Sequence, residues 1–265
     1  MNNTSVLIAS FDKNRDIWPL FAYFFQKYWP ECPYQVYLGA NGENYSESVP
    51  EKWNYINKGP DVSWSRSMLE YVEDIPTDTV LLMLDDYLLT GLPSESEIDK
   101  AVQYASLDAV YVRLNPEPRP RIRWKKTPDF GVLRYFDRYR ASLKAAVWNK
   151  HFLKKMLLLE LDPWTFELTV GEKTEHRDLL FLSAFEYLLP NRHCVESGKF
   201  TYWLTDFLKE EGYSEKLSSE RSVLSPAEYT EMFGKLGKLK GALVDLLPAR
   251  FYYYYKKLNC VNRGK

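Results

Sequence analysis

Residues 79–87, TVLLMLDDY, decide the fold. The run 80–84 is wholly apolar and follows the chain breaker Pro76. A short apolar run bounded by turn residues predicts a strand that is buried on both faces of a parallel sheet. Asp85 and Asp86 follow directly at the carboxyl end of this strand. Because ligands of open α/β sheets bind at the carboxyl ends of the strands, this stretch predicts both a fold class and a site.

Other apolar segments alternate with helical patterns on both sides of this stretch. Strands are predicted at 5–9, 34–38, 53–56, 108–114, 140–148 and 200–203, and helices at 18–28, 63–72, 94–105, 150–159, 174–188 and from 225 onward. Helix caps are predicted at Ser63, at Ser94 with Glu97 and at Ser225 with Glu228. Strands that alternate with helices predict an α/β fold with a largely parallel sheet.

The composition excludes several classes of protein. The chain has 265 residues, a formal net charge of −1, 45% hydrophobic and 16% aromatic residues, which indicates a globular protein and argues against a basic nucleic-acid binder. No apolar run approaches the roughly 18 residues of a membrane-spanning helix. The first residues do not resemble a signal peptide, so we expect a cytoplasmic protein. The three cysteines are far apart, which predicts neither a disulfide framework nor a Cys-x-x-Cys metal site.

The charge is unevenly distributed along the chain. The last 33 residues carry eight Lys or Arg and one Asp, a net charge of +7, which leaves −8 on the rest. This asymmetry predicts a main domain, 1–224, and a basic, aromatic C-terminal helical segment, 225–265. Leucines beside lysines, followed by 250–257 (RFYYYYKK), suit a helix that lies on an anionic membrane surface. The alternative is a helix packed on the body with its lysines in solvent.

Two segments in the middle of the chain are predicted to be irregular. Residues 116–126 (PEPRPRIRWKK) combine three prolines with five basic residues, which predicts a mobile flap that could clamp phosphate, or else a solvated loop. Residues 162–167 (DPWTFE) read as a turn.

The two adjacent aspartates suit a hard cation. Asp85 and Asp86 could supply oxygens to Mg²⁺ or Mn²⁺, which would take the rest from a diphosphate and water. The alternative is that one aspartate caps the turn and the other is solvated.

Several segments together resemble one family. They are Ser10 and Asp12 after the first strand, the Trp-Ser start of the second helix, 81–87 (LLMLDDY), 142–149 (SLKAAVWN) and 163–167 (PWTFE). These segments look like those of the nucleotide-sugar-dependent glycosyltransferases of GT-A fold that build bacterial surface polysaccharides. The resemblance lies in their residues and in their order along the chain, and it covers roughly 5–205. That family usually has an Asp-x-Asp motif, whereas Tyr87 takes the third position here.

The resemblance implies a GT-A-like, Rossmann-like catalytic domain that binds a UDP-sugar donor. Ser10 and Asp12 would face the uracil or the ribose. Asp85 and Asp86 would hold the ribose and a Mn²⁺ or Mg²⁺ ion bound to the diphosphate.

The resemblance also implies a general base, Glu167, that removes a proton from the acceptor hydroxyl. A positioned base contributes roughly 10²–10⁴-fold to the rate. Three neighbours could take the role instead, namely Glu172, Glu175 and Asp178. Glu167 could equally be a solvated turn residue or a helix cap.

Three later residues are further candidates. His193 and Lys199 could meet the diphosphate, with His193 as a second metal ligand beside Asp86 and Lys199 on the nucleotide sugar. Both could equally be structural residues. Trp164 could stack on the acceptor or donor sugar, because sugar faces pack on aromatic rings, whereas Trp148 is expected in the core.

The function implied is transfer of a hexosyl unit, with galactosyl and galactofuranosyl as candidates, from a UDP-sugar to a hydroxyl of a surface glycan. Inversion is expected because Glu167 offers a base. A lipid-linked acceptor would explain attachment to the inner face of the cell membrane. The alternative is a non-catalytic α/β module that docks through its basic tail, with Asp85 and Asp86 purely structural. A phosphotransferase with an aspartate nucleophile is disfavoured, because Asp12 has no second aspartate at position 14.

Overall fold

The computed structural model describes residues 3–233 apart from 136, 138, 173, 214, 216, 218 and 219. The chain divides into two units, Met1–Arg192 and His193–Lys265. Most of the segment predicted as a basic C-terminal helix, 225–265, lies outside the described residues.

The first unit alternates strands and helices. In chain order its elements are β1 (Thr4–Ala9), α1 (Trp18–Tyr28), β2 (Gln35–Ala40), β3 (Asn54–Asn57), α2 (Trp64–Asp74), β4 (Thr79–Leu84), β5 (Tyr87–Leu89), α3 (Glu95–Leu107), β6 (Tyr111–Arg113), β7 (Ile122–Trp124), β8 (Thr127–Val132), β9 (Ala146–Asn149), α4 (Lys150–Leu157), α5 (Pro163–Thr169), β10 (Phe181–Ala184) and β11 (Asn191–His193). The strand predicted from the acidic stretch is β4, which follows Pro76 and ends directly before Asp85.

A nine-stranded sheet forms the centre of the first unit, in the order β3-β2-β1-β4-β9-β6-β10-β8-β7. β1 pairs in parallel with β2 and β4, and β6 pairs in parallel with β10. β8 and β9 are antiparallel to their neighbours, so the other strands point in one direction. The predicted α/β class with a mostly parallel sheet is confirmed.

The strand ends that could form a site lie at one edge of this sheet. It comprises the residues that follow β1, β2, β4, β6 and β10 and those that precede the antiparallel β9. We call it the carboxyl edge. The strand order reverses between β1 and β4, because β2 and β3 lie on one side of β1 and β4 on the other. Such a reversal opens a crevice in which open α/β sheets bind ligands.

Helices cover both faces of the sheet. On one face α2, α4 and α5 bury a continuous apolar cluster that includes Leu7, Val80, Leu82, Val72, Leu153 and Phe166. Because side chains alternate along a strand, Ile8 and Met83 point to the opposite face, and α3 contacts β4, β6 and β9. Trp148 of β9 is fully buried and lies 6.0 Å from the ring centroid of Phe166, which confirms its expected place in the core. Each fully buried large apolar side chain contributes about 1.5–3 kcal/mol.

The second unit has small elements within its described residues. They are β12 (Val195–Glu196), β13 (Lys199–Phe200), α6 (Tyr202–Glu210) and α7 (Pro226–Phe233). The strand predicted at 200–203 is therefore wrong beyond Phe200, because Thr201 precedes the first turn of α6. The cap predicted before α7 is confirmed: the N–H of Glu228 donates to Ser225 Oγ at 3.2 Å, and the N–H of Ser225 donates to Glu228 Oε2 at 2.8 Å.

Of the two helix caps predicted in the first unit, one is confirmed and the other is wrong. Ser63 Oγ accepts a hydrogen bond from the N–H of Arg66 at 3.3 Å and caps α2 as predicted. Ser94 precedes α3, but its side chain forms no capping hydrogen bond, so that predicted capping box is wrong.

The segment 116–126 is irregular as predicted, except at its three-residue strand. Ile122–Trp124 is β7, which pairs antiparallel with β8 at the edge of the sheet. The ring of Trp124 packs against Tyr104 at 4.8 Å between centroids. Prolines and charges mark this segment as a loop in the sequence, but strand pairing and burial of an aromatic ring determine its structure.

Two further predictions about local structure are wrong. Residues 163–169 form α5 rather than a turn, because Asp162 caps the helix and Pro163 occupies its first position. The helix predicted at 174–188 is replaced by β10 in the interior of the sheet. Periodicity does not separate a short apolar run such as 179–184 of a buried strand from a buried helix.

Among the described residues, none of the helices has the length and apolar character needed to cross a membrane.

Candidate functional site

Ser10 and Asp85 leave the sheet side by side at the point where the strand order reverses. Ala9, the last residue of β1, is paired with Leu84, the last residue of β4. Ser10 Oγ donates a hydrogen bond to the carboxylate of Asp85, and the N–H of Asp85 donates to the carbonyl of Ala9 at 3.3 Å. The residues predicted from the sequence at this position therefore do come together.

The carboxylate of Asp85 is buried and hydrogen-bonded to neighbouring side chains rather than exposed to solvent. It is 3% exposed, and Asn14 Nδ2 donates to its Oδ1 at 3.0 Å. Trp18 Nε1 completes the network by donating to Ser10 Oγ at 2.7 Å. Burial, and after it the adjacent charge of Asp86, raises the pKa of Asp85 above its ordinary value, although the hydrogen bonds of the network oppose the shift. Both oxygens of Asp85 thus accept hydrogen bonds from the protein itself.

Asp12 lies against the loop that follows β2. Gly42 in that loop has φ +82°, and a Cβ on it would lie 2.2 Å from Asp12 Oδ2, so only glycine fits there without displacing the carboxylate. The N–H of Gly42 donates to the carbonyl of Gly59 at 2.6 Å. The backbone of this loop therefore approaches Asp12 closely.

An exposed aromatic and cationic surface flanks Asp12. The guanidinium carbon of Arg15 lies 4.4 Å from the centroid of the Tyr45 ring. Phe11 is 41% exposed. Flat rings and a guanidinium group are the side chains on which a nucleobase stacks.

Glu167 is fixed to the segment that precedes β9. Its Oε1 accepts hydrogen bonds from Ser142 Oγ at 2.8 Å and from the N–H of Leu143 at 2.7 Å. Ala146 of β9 is paired with Leu82 of β4, so residues just before Ala146 lie at the carboxyl edge. Glu167, the predicted base, is half-buried on α5. Its hydrogen bonds therefore place it at the same edge of the sheet as Asp85 and Asp86.

The other candidates near Glu167 are arranged differently. Trp164, in the first turn of α5, is 63% exposed. Glu175 is exposed and lies 3.4 Å from Nε2 of His176, and Asp178 is exposed. The side chain of Glu172 is outside the described part of the structure.

A cluster missed by the sequence analysis lies at the carboxyl edge. Lys144 Nζ and the hydroxyl of Tyr187 both donate hydrogen bonds to the carboxylate of Glu117. Burial alone would raise the pKa of Glu117, but the hydrogen bonds from Lys144 and Tyr187, together with the charge of Lys144, lower it. No local motif in the sequence indicates this cluster, because its three residues lie far apart in the chain, at 117, 144 and 187.

Arg113, the last residue of β6, is also missed by the sequence analysis. Its side chain is fully buried and donates to the carbonyl of Pro118 at 3.0 Å, to the carbonyl of Tyr139 and to the hydroxyl of Tyr111 at 3.3 Å. All of these acceptors are neutral. A buried positive charge therefore lies at the carboxyl edge and holds the loop that carries Glu117.

The predicted metal ligands fit a metal ion poorly in the described residues. Asp85 is buried and engaged by Ser10 and Asn14, and the third position of the motif is Tyr87 rather than a carboxylate. Within the described part of the chain, no three or more His, Cys, Asp or Glu residues form a group that could hold a metal.

His193, the residue with which β11 ends, and Lys199 belong to the second unit. His193 Nδ1 lies 3.5 Å from Glu196 Oε2, and its carbonyl accepts a hydrogen bond from Trp203 Nε1 at 2.9 Å. Lys199 Nζ is paired with Glu228 Oε1 at 3.1 Å. Within this unit, both residues make contacts of a structural kind.

Several solved structures are similar to this chain. No protein-family model and no curated protein matches the sequence. The mannosyltransferase PcManGT from Pyrobaculum calidifontis, in complex with GDP-Man and Mn²⁺, is similar at 8% identity and a TM-score of 0.48, over 98% of this chain and 80% of that chain. S. aureus TarS 1–349 in complex with UDP-GlcNAc is similar at 11% identity and a TM-score of 0.41, over 57% of this chain and 46% of that chain.

A third similar structure is a nucleotidyl transferase from Methanothermobacter, at 12% identity and a TM-score of 0.44, over 69% of this chain and 88% of that chain. The chain spans less than half of the TarS structure.

Proposed function

We propose that this protein transfers a glycosyl unit from a nucleoside-diphosphate sugar to an acceptor hydroxyl. The observation that carries the proposal is the position of Glu167, which Ser142 and Leu143 hold at the carboxyl edge just before β9, the neighbour of β4 in the sheet. A fixed carboxylate at this edge suits removal of a proton from a bound hydroxyl.

The nucleotide would bind at the ends of β1 and β2. The surface formed by Arg15 and Tyr45 supports stacking of the base. Asp12, which approaches Gly42, is a hydrogen-bond acceptor for a ribose or for the base. Ser10 and Asp85 would act on the nucleotide indirectly, because their mutual hydrogen bond fixes the loop that carries Asp12.

The reaction assigns one proton transfer to Glu167. Its described hydrogen bonds go to Oε1, which orients the carboxylate and leaves Oε2 to accept the proton of the acceptor hydroxyl. The hydroxyl oxygen forms the new bond to the anomeric carbon while the bond from that carbon to the diphosphate breaks. The bonding electron pair leaves with the nucleoside diphosphate, and attack from the opposite side inverts the anomeric centre.

The substrate classes follow the resemblance in the sequence. We infer a UDP-hexose as the donor and a hydroxyl of a bacterial surface glycan as the acceptor. The exposed ring of Trp164, three residues before Glu167 on α5, supports stacking of a sugar beside the base.

A lipid-linked acceptor would account for the charge distribution. The net charge of +7 on the last 33 residues suits attachment to an anionic membrane at its cytoplasmic face. Deletion of 233–265 should release the protein from anionic vesicles and leave transfer to a short soluble acceptor intact.

The test of the proposal is glycosyl transfer by Glu167→Gln. Glutamine keeps the size of the side chain and an oxygen for Ser142 and Leu143, but it does not accept the proton. We expect transfer to fall by at least about 10²-fold, while the affinity for UDP stays within a factor of two. Glu175→Gln is the parallel variant, because Glu175 is the exposed alternative base in the segment after α5.

Transfer that survives in Glu167→Gln at the rate of the wild type contradicts the assignment of the base. Loss of transfer in Glu175→Gln alone would move the base to that residue. Absence of binding to every nucleoside diphosphate in the wild-type protein would contradict glycosyl transfer itself.

A further inference from the structure

Lys144 lies beside the acidic segment at the carboxyl edge. It precedes β9, whose first residue, Ala146, is paired with Leu82 of β4 and Arg113 of β6. Its Nζ lies 5.8 Å from the centroid of the Tyr87 ring, and Tyr87 directly follows Asp86. A cation is thus placed next to the third position of the acidic motif.

The Lys144 ammonium is held in place by a second side chain. It donates to Glu117, which also accepts a hydrogen bond from the hydroxyl of Tyr187. The side chain of Lys144 is 32% exposed and that of Glu117 is 44% exposed. The ammonium is therefore oriented by protein and remains within reach of solvent and of a ligand at the edge.

A second positive charge, that of Arg113, lies near Lys144 at the carboxyl edge. Arg113 is fully buried at the end of β6, and its hydrogen-bond acceptors are neutral oxygens of Tyr111, Pro118 and Tyr139. Glu117 balances one of the two positive charges. When Lys144 turns to a ligand, Glu117 keeps the hydrogen bond from the hydroxyl of Tyr187.

We propose that Lys144, supported by Arg113, is the cation that receives the diphosphate of the donor. The inference rests on the function proposed above and names the group that binds the leaving diphosphate. The acidic pair fits a metal ion poorly because Asp85 is buried and engaged by Ser10 and Asn14. A fixed ammonium supplies positive charge at the same edge without a metal.

The role of Lys144 in the reaction is electrostatic. As the bond from the anomeric carbon to the diphosphate breaks, negative charge grows on the β-phosphate. Lys144 donates a hydrogen bond to this phosphate and keeps its own proton, so it lowers the energy of the departing group. Its exchange between Glu117 and the phosphate needs only a rotation of the flexible lysine side chain.

The test compares the binding of UDP and UMP in the presence of EDTA, and is repeated with GDP and GMP. Lys144→Met removes the charge and keeps much of the length, Lys144→Arg restores a cation, and Lys154→Met is the matched control. Lys154 is paired with Glu73 at 3.0 Å with similar exposures, 37% and 49%. It lies on α4, which follows the opposite end of β9.

We expect the wild-type protein to bind UDP in EDTA and Lys144→Met to bind it at least about tenfold more weakly. The loss should be smaller than about twofold for UMP, which lacks the β-phosphate. Lys144→Arg should stay within about threefold of the wild type, and Lys154→Met should be indistinguishable from it. The melting temperatures of Lys144→Met and Lys154→Met should agree, which excludes a folding defect.

Three outcomes overturn the inference. Equal affinity of Lys144→Met and the wild type for UDP does so and leaves the proposed function intact. Binding of UDP that requires Mn²⁺ also overturns the inference and leaves the function intact. If the wild-type protein binds neither UDP nor GDP, with or without Mn²⁺, the proposed function fails and this inference fails with it.

Discussion

The hydroxyl of Ser10 donates a hydrogen bond to the carboxylate of Asp85, 75 residues later in the chain. This bond joins the loops that follow β1 and β4, the two strands between which the strand order reverses. Asp85 therefore fixes the two loops from within the protein.

Removal of the Asp85 carboxylate should destabilise the fold. Asp85→Ala removes the carboxylate that accepts hydrogen bonds from the amide of Asn14 and the hydroxyl of Ser10, so we expect a loss of about 2–4 kcal/mol in the free energy of unfolding. Asp85→Asn keeps the shape and one oxygen and should lose less. Urea denaturation measures both. Asp74→Ala is the control, because Asp74 forms an exposed ion pair with Lys58 at 2.6 Å, and equal stability of Asp85→Ala and Asp74→Ala would refute this role.

The close approach of Gly42 to Asp12 should make Gly42→Ala more damaging than Gly59→Ala. Both glycines have positive φ, +82° and +73°, but an added Cβ overlaps Asp12 only at Gly42 and meets nothing within 4 Å at Gly59. Gly59→Ala should lose only the backbone preference, about 1–2 kcal/mol. Gly42→Ala should lose more and should weaken the binding of UDP. Equal unfolding midpoints would contradict the overlap.

Arg140 should be essential for the stability of the segment between α5 and β10. Its guanidinium donates hydrogen bonds of 2.7–3.1 Å to four carbonyl groups, those of Leu133, Gly171, His176 and Leu179. We expect Arg140→Met to lower the free energy of unfolding by at least about 3 kcal/mol, because buried carbonyls lose their donors. Arg134→Met removes a half-buried ion pair with Asp137 and should cost less than Arg140→Met, about 1 kcal/mol. A similar cost for both variants would show that Arg140 does not hold this segment.

The cap of α7 predicts a dependence on pH. Hydrogen bonds from the backbone and the hydroxyl of Ser225, and then the ion pair with Lys199, lower the pKa of Glu228 from 4.5 to about 2. Because the pKa in the folded state is the lower one, the stabilisation is complete above pH 4.5 and is lost as the pH falls toward 2. Titration of the Glu228 carboxyl carbon by NMR measures this. Ser225→Ala and Lys199→Met should each raise the midpoint, and an ordinary midpoint in the wild type would contradict the cap.

Much of the fold was predictable because local pattern and burial agree. β4 begins and ends where the apolar run predicts, and Ser63 caps α2 as expected. The prediction failed where tertiary contacts decide. Ile122–Trp124 became a strand through its pairing with β8, and Phe181–Ala184 became a strand in the sheet interior although its sequence reads equally well as helix.

The candidate site was predictable only in part, for a related reason. Ser10, Asp85 and Asp86 follow strands whose carboxyl ends the sequence reveals. The cluster of Glu117, Lys144 and Tyr187 joins three loops that are distant in the chain. No local sequence motif indicates that these three residues are close in space, because their proximity depends on the antiparallel insertion of β9 between β4 and β6.

The measurement that tests the central claim most directly is the release of nucleoside diphosphate from a panel of UDP-, GDP- and dTDP-sugars, with and without an acceptor glycan. The account predicts that the wild-type protein converts at least one of these donors, that release is faster with an acceptor, and that Asp86→Ala and Glu167→Gln lower the rate. If no donor is converted, and none raises the melting temperature at millimolar concentration with or without Mn²⁺, the claim that this protein is a glycosyltransferase is wrong.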